Sequence, residues 1–115
     1  MIYPGETAKF PTGYSIYMKD PTLCAFIMPR SSLGIKGILP ANVLGLIDSD
    51  YQGEMVVYLK NHSNEPYLVS NGDRIAQLVF LNVQDIVFKP VTKFSEITER
   101  GEGGFGSTGK GYGEI

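Results

Sequence analysis

Four glycine-punctuated segments hold most of the residues in this chain that could do chemistry. In order they are Pro29-Arg-Ser-Ser-Leu-Gly34, Gly45-Leu-Ile-Asp-Ser-Asp-Tyr-Gln-Gly53, Gly72-Asp-Arg-Ile-Ala-Gln-Leu-Val79 and Arg100-Gly-Glu-Gly-Gly-Phe-Gly-Ser-Thr-Gly109. Each sets backbone amides beside an Arg, Ser, Gln or Asp, the groups that hold a polyphosphate and ionise a water next to it. Arg30, Ser31 and Ser32 give guanidinium, hydroxyl and amide donors within one turn, an oxyanion cradle; the plainer reading is a surface arginine at a strand end. Asp48 follows Leu46 and Ile47, which places a carboxylate at the edge of the core, where it can serve as a general base. Tyr51 adds a flat ring able to pack against a sugar and leave no room for a 2′-hydroxyl. Read blandly, residues 48–51 are a polar hairpin turn with acids in solvent. Gln77 is a polar residue in an otherwise apolar strand, and a buried amide must find partners in the backbone or in a site.

The glycine-rich tail imitates two better-known motifs. Gly101-Glu-Gly103-Gly-Phe-Gly106 fits the dinucleotide fingerprint, and Gly104-Phe-Gly-Ser-Thr-Gly109-Lys110 nearly fits a P-loop. Both mechanisms need a preceding strand and a following helix whose N-terminus receives the phosphate. Only five residues follow Lys110, and Gly111 stands where a P-loop has Ser or Thr. Both readings fail. Arg100, Phe105, Ser107 and Thr108 instead supply a cation, a stacking ring and two hydroxyls within permissive backbone, which suits a phosphate-covering arm better than an inert linker.

These segments need a scaffold, and the pattern around them is β throughout. Short runs rich in Val, Ile, Tyr and Phe predict strands over Thr7–Phe10, Tyr14–Met18, Leu23–Met28, Glu54–Leu59, Tyr67–Val69, Ile75–Leu81 and Val83–Phe88. Turn signals such as Lys19-Asp-Pro21 and Asn71-Gly-Asp73 separate them. Fourteen glycines and seven prolines leave little room for long helices; a helical turn is expected only over Leu39–Val43. The spacing predicts a sandwich, jelly roll or small barrel over residues 1–91. From Thr92 the character changes. Residues 92–115 are polar and glycine-rich, too poor in apolar surface to order alone, and form a flexible C-terminal arm that orders against something else. No internal repeat is visible.

Size and charge set the outer limits. A chain of 115 residues is one domain. No apolar run approaches a membrane span, and the N-terminus lacks the regions of a signal peptide, so a cytoplasmic protein is expected. Ten basic and twelve acidic residues give a net charge of −2, which argues against a general grip on nucleic acid. The single cysteine, Cys24, lies in an apolar run and reads as a buried spectator thiol. His62, the only histidine, reads as a solvated turn residue.

Taken together, the four segments resemble motifs two to five of the trimeric deoxyuridine triphosphatases (dUTPases), in order and with comparable spacing, from about Pro4 to Gly109. The resemblance implies a distorted jelly roll or β-sandwich of the β-clip kind, assembled as a homotrimer whose three sites each draw on all three subunits. The arm then closes over a neighbour's nucleotide. It implies hydrolysis of dUTP to dUMP and diphosphate, with Asp48 activating the water that attacks the α-phosphorus and Tyr51 lying under the deoxyribose. Asn42, Gly45 and Leu46, within the stretch 42–46, would read uracil. Arg30, Ser31 and the Ser32 amide would hold phosphates, and Gln77 the α-phosphate. Arg100, Gly106 and Ser107 would hold the γ end, and Phe105 would stack on the base. Mg2+ is implied as well, carried mainly by the phosphates and water rather than by protein ligands. Two departures stand out. Ser32 occupies a position that is often Gly, although its amide survives. The family's first motif, Ala-Gly-Tyr/Leu-Asp-Leu, is missing: Thr12-Gly13-Tyr14-Ser15-Ile16 imitates it but has Ser where the motif has Asp. That gap implies weaker Mg2+ binding and uncovered sheet edges. It also keeps open a nucleotide-binding or regulatory protein with little turnover, and, less well matched to Asp48 and Tyr51, a dCTP deaminase.

Overall fold

The computed structural model describes residues 1–106. Among them are six strands and one short helix: β1 (Thr7–Pro11), β2 (Leu23–Met28), α1 (Ser31–Ile35), β3 (Ile38–Pro40), β4 (Gly45–Asp48), β5 (Val56–Asn61) and β6 (Gln77–Asn82). They form two three-stranded sheets, ordered β1-β5-β3 and β4-β2-β6. Every pairing is antiparallel, as the all-β reading requires.

β5 shows why the first sheet forms. Along Val56–Asn61 the side chains alternate, burying Val57, Leu59 and Asn61 and turning Tyr58 outward. A period of two gives a strand one apolar face to bury. Val57 and Leu59 join Ile2, Leu33 and Ile38 in the main core, with Phe10, Ile27, Tyr67, Val69 and Ile75 packed against it. Asn61 ends the inward face as a fully buried amide. Its Nδ2 donates to the carbonyls of Ile2 (2.8 Å) and Glu65 (2.7 Å), and its Oδ1 accepts from the Ser63 amide (2.9 Å) and hydroxyl (2.7 Å). All its bonding capacity in sight is used, which offsets the cost of burying it.

Four sequence expectations are corrected. The stretch Leu39–Val43 is not helical: Ile38–Pro40 is an edge strand, and Val43 takes φ of +65°. Proline is tolerated at an edge because its missing N–H leaves no ladder bond unmade. A short helix instead occupies Ser31–Ile35. Pro29 precedes an extended Arg30, and Leu33 is the residue the helix buries. Residues 14–18 form no strand. Gly13, at φ of +78°, turns the chain, and a single backbone bond, from the Met55 amide to the Tyr14 carbonyl, ties the segment to Met55. Residues 83–88 keep their apolar pattern but lie exposed; the Val83 amide makes a last bond to the Thr22 carbonyl, and no strand lies beyond it among the described residues. Tyr67 contributes one isolated bridge to Ile2 rather than a strand.

The chain divides into two compact units, Met1–Asp85 and Ile86–Ile115, a boundary a few residues before the compositional change at Thr92. Both sheets belong to the first unit. In the second, the described residues run as turns without strand or helix. Among the described residues no helix is long and apolar enough to cross a membrane.

Candidate functional site

Two cavities of the first unit gather the sequence-predicted residues. One, of about 470 Å³, is lined by Arg30, Arg74, Gln77 and Asp73, together with Thr12, Ile27 and other apolar groups. The other, of about 340 Å³, is lined by Asn42, Gly45, Leu46 and Tyr51, with Ile27, Glu54, Met55 and Tyr58 among its walls. Ile27 and Met55 border both.

In the larger cavity Gln77 is not the buried amide its sequence setting suggested. It opens β6 opposite Met28 and is exposed. Its Nε2 donates to the Pro29 carbonyl at 2.9 Å, which uses one of two N–H groups and leaves the second free for a ligand. Arg30 donates through Nη1 to the Arg74 carbonyl at 3.2 Å, so a single bond steadies a fork with further donors to spare. Ser31 and Ser32 lie exposed in the first turn of α1, where helix amides have no partner within the helix. They line neither cavity. The sequence reading passed over Arg74 and Thr12. Arg74 follows a glycine turn, but nothing local in the sequence shows that its carbonyl would hold Arg30.

The smaller cavity is built by the turn after β3 and by strand β4. Val43 is the strained point of that turn, since a β-branched side chain rarely takes a positive φ. A Cβ on Gly45 would meet the Asn42 Nδ2 at 3.2 Å, so the glycine lets the amide lie against the strand. Tyr51 follows a turn closed by its own amide on the Asp48 carbonyl (3.1 Å), and its hydroxyl donates to the Glu54 carbonyl at 2.8 Å.

Asp48 ends β4 opposite Cys24. Ile47 beside it is buried, but Asp48 is exposed and lines neither cavity, a correction to its expected place at the core edge. The alternation of β4 explains this: Ile47 takes the inward position and its neighbours the outward one. Cys24 is free and buried, and His62 is exposed, both as expected. In the second unit Arg100 Nε donates to the Gly103 carbonyl at 2.6 Å. Phe105 is exposed, and it and Gly106 both have positive φ. Ser107 and Thr108 lie outside the described residues. No group of three or more His, Cys, Asp or Glu side chains that could cage a metal occurs among the described residues.

Fold and cavities define an all-β domain offering one recess with cationic and amide donors and a second shaped by an aromatic ring and a short amide turn. The family model described as dUTPase matches residues 1–109. A deoxyuridine 5′-triphosphate nucleotidohydrolase of Haemophilus influenzae is 57% identical over 110 residues, spanning 95% of this chain and 72% of the relative. Its counterpart from Pasteurella multocida is 58% identical over the same shares. Among solved structures, the Staphylococcus bacteriophage 80alpha dUTPase with dUPNHPP superposes with a TM-score of 0.79 at 24% identity, over 95% of this chain and 79% of that one, a likeness of fold. The chain belongs to the dUTPase family.

Proposed function

We propose that this protein is a dUTP diphosphatase, converting dUTP and water to dUMP and diphosphate. Its support is the membership just described together with one structural observation: Asn42, Gly45, Leu46 and Tyr51 converge on a single cavity at the start of the strand that ends in Asp48. In this reading uracil lies along the 42–46 turn, read by the Asn42 amide and main-chain groups, and the deoxyribose packs on Tyr51. Asp48 takes a proton from water as the oxygen attacks the α-phosphorus. The bond from that phosphorus to the oxygen bridging the β-phosphorus breaks, and diphosphate leaves. The spare donors of Arg30 and Gln77, with Ser31 and the Ser32 amide, hold phosphate oxygens. Arg100, Phe105, Gly106 and Ser107, supplied by a neighbouring copy's arm, close the site. The donor set among the described residues suits a cation that arrives with the substrate, so Mg2+ would be held by phosphate oxygens and water. When bound, it neutralises charge on the triphosphate.

A homotrimer with shared sites belongs to the same proposal. Asp48 pairs with Cys24 and Gln77 with Met28, four residues apart along β2 and therefore roughly 13 Å apart. That separation, and the position of Asp48 outside both cavities, support a site in which one copy's carboxylate works beside another copy's phosphate donors. A cytoplasmic location, with neither nucleic acid nor membrane as partner, completes the reading. The test is direct: incubate the protein and Mg2+ with dUTP, dCTP and UTP, and follow diphosphate and ammonia. Diphosphate from dUTP alone is expected. Tight dUTP binding without product would leave a nucleotide-binding protein, and ammonia from dCTP a deaminase.

A further inference from the structure

One close contact beside the smaller cavity is made by a residue with no side chain. A Cβ built on Gly53 would lie 2.6 Å from Cζ and 2.8 Å from Cε1 of Tyr51, with the ring hydroxyl also in contact. Carbon atoms do not approach so closely without something moving. Gly53 does not have a left-handed φ, so its backbone would accept alanine. The glycine is required for space and not for conformation. The ring lies directly on the bare backbone of residue 53, and its hydroxyl is fastened one residue further on, to the Glu54 carbonyl at 2.8 Å.

That anchoring point is itself held. Glu54 Oε1 accepts from the Gly13 amide at 3.2 Å. The next residue, Met55, accepts at its carbonyl from the Thr12 hydroxyl (2.7 Å) and amide (3.0 Å) and donates its amide to the Tyr14 carbonyl (2.8 Å). Residues 53–55 therefore form a rigid ledge tied to the 12–14 turn, with the tyrosine ring lying on it.

We propose that Gly53 is a specificity-determining positioning residue: the bare ledge at 53–54 fixes the Tyr51 ring at the depth where it admits a deoxyribose and rejects a ribose. This rests on the diphosphatase reading above. An aromatic ring excludes one extra hydroxyl only while it cannot retreat, because an apolar pocket otherwise discriminates weakly against an added hydroxyl. A methyl group at position 53 lifts the ring off its ledge and pulls the hydroxyl from the Glu54 carbonyl. Asp48 and the phosphate donors are left in place.

The test measures kcat/KM for dUTP and UTP in the wild type, Gly53→Ala, Tyr51→Ala and the double variant, each checked for folding by circular dichroism. Gly53→Ala is expected to raise the UTP-to-dUTP ratio by about tenfold or more, with kcat for dUTP changing less than the ratio. In the Tyr51→Ala background the same substitution should add nothing, because the ring it displaces is gone. Tyr51→Phe, which loses only the bond to the Glu54 carbonyl, serves as a second variant and should show a smaller rise. A folded Gly53→Ala protein with wild-type selectivity overturns the proposal, as does an effect that persists undiminished without the tyrosine. If Gly53→Ala does not fold, unchanged selectivity in Tyr51→Phe overturns it. A wild-type protein that hydrolyses neither nucleotide sinks the diphosphatase reading and this proposal with it, whereas dUTP hydrolysis with unaltered selectivity in the variants sinks this proposal alone.

Discussion

Asp48 and Asp20 are both acidic residues beside β2, yet their surroundings ask different things of them. On the proposed mechanism Asp48 is the base, so Asp48→Asn should abolish turnover and leave dUTP affinity nearly intact; calorimetric titration with a non-hydrolysable analogue and a diphosphate-release assay check the two halves. Normal hydrolysis by that variant would remove Asp48 from the mechanism. Asp20 closes the turn before β2. Its Oδ1 accepts from the Thr22 hydroxyl (2.6 Å) and amide (2.9 Å), and the hydroxyl bond, followed by the amide bond, holds the carboxyl below its ordinary value. A carboxylate with a depressed folded-state pKa contributes stability that is fully present above its unfolded value of about 3.9 and is lost as pH falls through the lower folded value. Thr22→Val should therefore raise the Asp20 pKa, visible by NMR titration, and reduce the sensitivity of unfolding to pH below about 4.

At the scale of elements, β5 carries the first sheet and the whole of the main core depends on it. Its terminal Asn61 is 0% exposed and binds the chain's second residue, the 63–65 turn and its own strand into one unit. Asn61→Ala takes the partner from the Ser63 amide and one of two donors from each of the Ile2 and Glu65 carbonyls, which keep the Tyr67 amide and the Ser63 hydroxyl, and leaves a small cavity, at a cost of about 2 kcal/mol. The midpoint of urea unfolding should fall accordingly, with little change in slope. Sequence patterning found this strand, although it placed the start at Glu54. Alternation cannot show that Glu54 and Met55 are occupied in bonding the 12–14 turn. It also missed β3 and β4. Ile38–Pro40 is too short for a period to show, and Pro40, Asn42 and Gly45 interrupt the run from Ile38 to Asp48. The helix at Ser31–Ile35 was missed for a similar reason: it is one turn long, lacks a side-chain cap, and buries a single residue, Leu33.

For the whole molecule, the face of the β4-β2-β6 sheet that carries Asp48 is the informative surface. Period-two alternation and the strand register place Leu46, Phe26 and Val79 in one row of that face and Asp48, Cys24 and Leu81 in the next. Leu46 is 59% exposed and Leu81 45% exposed, an apolar surface suited to burial against a second copy. On the trimer proposal Leu81→Glu should leave the protomer folded, since the side chain is already open to water. It should also lower the mass seen by light scattering from three chains toward one and reduce dUTP hydrolysis with it. An unchanged mass would place the contact elsewhere.

By itself the sequence determined the strand chemistry, the all-β class and the order of the four glycine-punctuated segments, because side-chain period and turn composition are local properties. It also singled out Asp48, Tyr51, Arg30 and Gln77 by residue type. Only the tertiary structure decided how these residues are held: Gln77 exposed and bonded to Pro29, Arg30 steadied by a carbonyl forty-four residues away, Asp48 outward rather than at the core edge, and Tyr51 lying on Gly53. Those arrangements depend on which strands pair and in what register, and such long-range geometry leaves no trace in the spacing of neighbouring residues.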